Sequence, residues 1–125
     1  MCLQRLEDFN LTLNKDGVGI GYKVFNRNEG RLYGEYARPG KERKLGVWLK
    51  EGNFRPQRRD TGLDRDGVKY KRGWHIFLRR KDAVNWDVGF QAIRKIKFRG
   101  IVAMGRMVNS SAIVVAKEIF IPKEA

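Results

Sequence analysis

Two strand-like runs near the C-terminus, residues 92–104 and 112–121, constrain this chain most, with a short loop over 106–111 between them. In the first run Ile96, Phe98, Val102 and Met104 share one parity, and Lys95, Lys97, Arg99 and Ile101 take the other. A side-chain period of two marks a strand with one buried face. The second run is apolar almost throughout, as expected of a strand covered on both faces, and Pro122 stops it. The spacing predicts an antiparallel hairpin.

Upstream, a glycine-rich lead over 17–21 enters a strand through Phe25. A turn at Asn28-Glu29-Gly30 leads to a returning strand over 31–36. Residues 44–49 suggest a short third strand and 73–78 another. Residues 79–86 are the best helix candidate, though without a strong cap. From 51 to 72 no period survives while Gly52, Pro56, Gly62 and Gly67 recur, which reads as a long connection, with a small hairpin closing at Asp64-Arg65-Asp66-Gly67. The expectation is an α+β, β-rich fold: one compact antiparallel sheet or a partly closed barrel with one short helix. It forms a single domain, 1–125, with a long basic loop at about 51–72.

The chain has 125 residues and 42% hydrophobic content including 7 Phe, 3 Trp and 4 Tyr, enough for a real core. No apolar run approaches the roughly 18 residues needed to span a bilayer, and the N-terminus lacks the apolar stretch of a signal peptide. One cysteine excludes an intramolecular disulfide and a Cys-cluster metal site, so an intracellular, cytoplasmic setting is expected.

Charge then narrows the partners. The chain carries 27 Lys+Arg against 14 Asp+Glu, a formal +13. Residues 39–81 hold 14 basic and 5 acidic residues, with Trp48, Phe54, Tyr70 and Trp74 threaded among them. Such a surface attracts nucleic acid or another polyanion. Within Asn53-Phe54-Arg55-Pro56-Gln57-Arg58-Arg59, three arginines and an aromatic combine the cations and stacking ring that single-stranded nucleic acids use. Lys95, Lys97 and Arg99 form a row spaced about 6.7 Å along one strand face; taken alone that row reads first as the solvated side of a half-buried sheet, and otherwise as a contact for phosphates. Arg79 and Arg80, beside Lys81, make a third cluster. Trp48, Phe54 and Trp74 are candidates to stack on bases or to fill the core.

His75 is the only histidine and lies among apolar residues on a predicted strand. It is read as a hydrogen-bonded structural histidine, or, if the chain is an enzyme, as its catalytic base with Glu35, Asp82 or Glu118 as helper. No second histidine or cysteine cluster supports zinc, and no Ser-His-Asp arrangement can be assembled. Gly17-x-Gly19-x-Gly21 precedes a strand, the wrong context for a dinucleotide fingerprint. Asp64-x-Asp66-Gly67 lacks the later glutamate of a calcium loop. No cofactor and no metal are expected.

Gly21-Tyr22-Lys23-Val24-Phe25, then Gly73-Trp74-His75-Ile76-Phe77 with Lys81-Asp82-Ala83, then the closing hairpin, resemble a group of small uncharacterised phage and bacterial proteins. These share a G-Y-K-V strand and a G-[FWY]-H-x-F…D-A strand-helix step, and the resemblance spans residues 21–121. It implies a phage origin, and with it an inhibitor that binds a host or anti-phage defence complex. The group's outline is reminiscent of small ADP-ribosyltransferase-like sheets, which implies a nucleotide-using transferase; a nuclease built around His75 belongs beside that alternative. The leading expectation is a small basic nucleic-acid-binding protein that contacts phosphates through its Arg/Lys-rich middle segment.

Overall fold

The computed structural model describes residues 3–28, 31–33, 43–50, 70–71, 73–86, 91–107 and 109–123. Most of the long basic connection, including Phe54, Arg55, Arg58, Arg59 and the turn at 64–67, lies outside these residues, as do Glu35 and Cys2. Among the described residues seven strands and one helix follow in chain order: β1 (Arg5–Leu6), β2 (Gly19–Asn28), β3 (Arg31–Tyr33), β4 (Trp48–Lys50), β5 (Trp74–Phe77), α1 (Arg80–Trp86), β6 (Gln91–Arg106) and β7 (Ala112–Phe120). All pairings are antiparallel, in one sheet of order β1-β6-β2-β5-β7-β4, with β3 on β2. Because β6 also pairs with β7, the ladders β6-β2-β5-β7 return on themselves in a partly ring-like arrangement.

The β-rich α+β architecture, the single antiparallel sheet, the one helix and the C-terminal hairpin are as the sequence predicts. The two-residue β1 carries too little pattern to be read; its neighbour Glu7 holds Arg106 at 2.8 Å, and that guanidinium lies over Phe9. The strand expected over 44–49 begins only at Trp48, because Gly46 turns the chain with φ 73°.

β6 makes the ring-like path possible. Its first half pairs with β2 from Gln91 to Phe98 and its second half with β7 from Lys97 to Arg106, so a strand of 16 residues must bend between them. The bend has two sources. Gly100 takes φ 73°, a left-handed conformation that L side chains avoid. One residue on, the register slips between Ile101 and Ala103, which is a β-bulge with an extra residue on β6. This corrects the uninterrupted alternation expected over 92–104. Met104 stays with Ile96 and Phe98 in one cluster, but Val102 crosses to the opposite side and Ile101 joins the first.

Two clusters fill the faces. The inner one gathers Phe25, Trp74, Ile76, Ile96, Phe98 and Ile119 among others. The outer one contains Leu3, Val24, Tyr70, Phe77, Ala83 and Ile113 and is roofed by α1 and the N-terminal segment. Along β7, Ile113 and Val115 go outward while Val114 and Ala116 go inward, which is why that run is apolar at every position. A seven-residue helix is marginal alone. α1 is held by burying Ala83 and by Trp86 against Phe77, ring centroids 6.4 Å apart.

Close approach also explains Gly21. A Cβ there would collide with Ile76 Cγ2 and lie 2.9 Å from the Phe77 carbonyl oxygen, because β2 and β5 pair at the adjacent Tyr22 and Phe77. Among the described residues no helix is long and apolar enough to cross a membrane. Replacing Gly100 by alanine is expected to cost about 1–2 kcal/mol, the penalty of the left-handed conformation. Urea unfolding measures it; an unchanged midpoint would mean that the bend does not need glycine.

Candidate functional site

One part of the outer face has no roof. Following the register across the sheet, Ile20 of β2 stands opposite Lys97 of β6, Lys97 opposite Phe120 of β7, and Phe120 opposite Trp48 of β4. Direct partners share a face, so these four side chains form a row of about 14 Å, three inter-strand spacings. Rows on either side continue it: Tyr22 opposite Lys95, and Arg99 opposite Glu118 opposite Lys50. Lys95, Lys97 and Lys50 are exposed, and Ile20 keeps 53% of its surface in solvent.

Cations and rings interleave on this face. The Lys97 ammonium lies 5.6 Å from the Phe120 centroid, and Phe120 and Trp48 lean together at 5.6 Å with an interplanar angle of 54°. The Arg99 guanidinium stacks 3.9 Å above Trp48. Its Nε and Nη2 donate to the two carboxylate oxygens of Glu118, at 3.2 and 3.3 Å. Glu118 therefore offsets the charge of Arg99, whereas Lys95 and Lys97 belong to none of the ion pairs among the described residues. Beyond Ile20 the face runs into an open groove of about 710 Å³ between β2, β6 and the N-terminal segment. Leu13, Val18, Leu78 and Phe98 line it with Lys97. Leu78 directly precedes the exposed Arg79 and Arg80.

The structure thus brings Lys95, Lys97 and Arg99 together on one open face, with Arg99 already engaged. It removes Trp74 from the candidates. Trp74 is 5% exposed, packs in the inner cluster, and has Lys23 and Arg43 over its ring, so no base can reach it. Phe120 and Ile20 were not singled out from the sequence. The usable signal for Phe120 was Glu118 two positions earlier, since a charge at the same parity marks an open face.

His75 lies elsewhere, on β5 opposite Val115. Its Nε2 is 2.9 Å from the Tyr70 hydroxyl, which in turn accepts the Leu3 backbone N–H at 3.1 Å. The Lys23 ammonium donates to the His75 carbonyl at 2.9 Å. Burial first, and the nearby Lys23 charge second, lower the imidazole pKa to about 3. The ring is therefore neutral at pH 7, a weak base hydrogen-bonded to the Tyr70 phenol. Of the carboxylates considered as helpers, Glu118 is engaged by Arg99, and Asp82 lies in the first turn of α1. Among the described residues no group of three or more His, Cys, Asp or Glu can hold a metal ion. Comparisons of the chain with protein-family models, curated proteins and solved structures return no match.

The depressed imidazole pKa makes stability depend on pH. Unfolded, His75 binds a proton below about pH 6.5; folded, it resists until about pH 3. Its contribution is therefore complete above 6.5 and drains away as pH falls toward 3. Between pH 7.5 and 5 the wild type should lose about 1–2 kcal/mol more stability than His75→Gln, which stays neutral and can still pair with Tyr70. Urea unfolding at both pH values reads the difference, and equal losses would refute it.

Proposed function

We propose that the chain is a basic nucleic-acid-binding protein that holds phosphates on the unroofed face of its sheet. The observation that carries this reading is the Ile20–Lys97–Phe120–Trp48 row, flanked by Lys95, Lys50 and Arg99. One exposed isoleucine is ordinary by itself; two rings lined up with cations beside it are more than solubility asks of a sheet face. Polyanions, in contrast, gain both from the free lysines, which release condensed counterions, and from the apolar surface between them. The formal charge of +13 steers such a partner toward the protein from a distance.

Phosphate contacts by Lys95 and Lys97 give binding whose log affinity falls linearly with log salt. Replacing both by alanine should reduce that slope by about 2, roughly one per lysine. Fluorescence anisotropy with single- and double-stranded oligonucleotides, over a salt series beginning near 50 mM, measures it. No binding to either at low salt would refute the proposal. Protein partners retained from a nuclease-treated lysate under those conditions would favour an inhibitor of a protein complex instead.

A further inference from the structure

We infer that this face prefers single-stranded nucleic acid, with a base stacked on the outward plane of Arg99 and the following phosphates led along Lys97 and Lys95. The inference rests on the nucleic-acid reading above and specifies its ligand class. It starts from an oddity: the arginine nearest the centre of a cationic face is the one whose charge is spent. Glu118 occupies Nε and Nη2, and Trp48 lies 3.9 Å beneath the guanidinium. An arginine intended for phosphate needs its fork free, because planar two-point contact is how the group recognises an oxyanion.

What the arrangement supplies is a rigid plane. Trp48 lies against one side of the group and Glu118 against one edge, and the side chain as a whole keeps 41% of its surface in solvent, so the opposite plane is the one left to a ligand. Nucleobases stack on guanidinium planes as they do on aromatic rings. Pre-fixing the plane lowers the ordering cost that a mobile arginine would add on binding. The partly exposed Phe120 is the next ring along the row, at 5.6 Å from Trp48, and Ile20 extends the apolar strip toward the groove.

This geometry separates single strands from duplexes. In a duplex the base faces are already stacked on their neighbours, so only phosphates remain for Lys95 and Lys97. A single strand offers its base faces freely. The two lysines, about 6.7 Å apart along β6, then follow its backbone while a base rests on Arg99. Every base has a π-face, so the preference is for strandedness and not for sequence.

The test uses the full chain with labelled oligothymidylate and oligouridylate of about 12 nucleotides and a duplex of equal length, near 100 mM salt. Single strands should bind at least about 10-fold more tightly than the duplex. Trp48→Ala and Arg99→Lys should each lower single-strand affinity about 5- to 100-fold, the range of one lost base stack, and so narrow the preference. Arg99→Lys keeps the charge and removes the plane together with the two-point hold on Glu118, so the salt slope should persist. It also serves as the decisive variant if Trp48→Ala melts early. Equal affinity for single strand and duplex would overturn the inference and leave nucleic-acid binding standing. So would an Arg99→Lys protein of unchanged melting temperature whose preference is intact. Failure of all three oligonucleotides to bind would overturn both.

Discussion

The bend in β6 is the constraint on which the rest of the structure depends. A straight strand of 16 residues would reach about 50 Å, far beyond the short strands it meets. By turning at Gly100 and the following bulge, it serves β2 with one half and β7 with the other. The inner cluster exists because those two neighbours are brought round to face each other. Ile96 and Phe98 enter it before the bend, Ile101 and Met104 after it. Non-local ladders of this kind close late in folding, because chain entropy must be lost before the pairing repays it.

The outer face is covered only in part. Ile93 before the bend and Val102 and Ala103 after it pack in the cluster roofed by α1 and the N-terminal segment. Between them on β6, Lys95 and Lys97 stand exposed and Arg99 half-exposed. Helix and open face are thus two halves of one surface: apolar where the helix lies, cationic and aromatic where it does not. His75 belongs to the covered half, tied through Tyr70 to the backbone of Leu3. Its chemistry there is a fastening between the N-terminal segment and β5.

The sheet was legible because period-two patterns survive wherever a strand has one wet side. Residues 95–98 show it plainly, and β7 could be recognised by its unbroken apolarity. Gly100 and the bulge were not legible: a glycine within a strand pattern signals a bend or a close approach without saying where parity changes, and Val102 continued the period by coincidence. At the candidate site, the lysine row was visible but its depth across the sheet was not. Ile20, Phe120 and Trp48 lie far apart in sequence and become one row only through the register of four strands. Trp74 misled because an aromatic among basic residues looks like a stacking group, whereas β5 is a central strand whose apolar residues are interior on both sides.

β7 carries a further consequence. Its residues alternate between two different interiors, so its amino acids are assigned to their clusters by counting alone. Losing or gaining a single residue within residues 113–116 would exchange the contents of the two interiors, sending Val114 and Ala116 under the helix and Ile113 and Val115 into the ring. In the loop from Met107 to Ser111 the same change alters only the length of a turn. This strand therefore has a reading frame, fixed by its two neighbours, and evolution can edit its letters far more easily than its length.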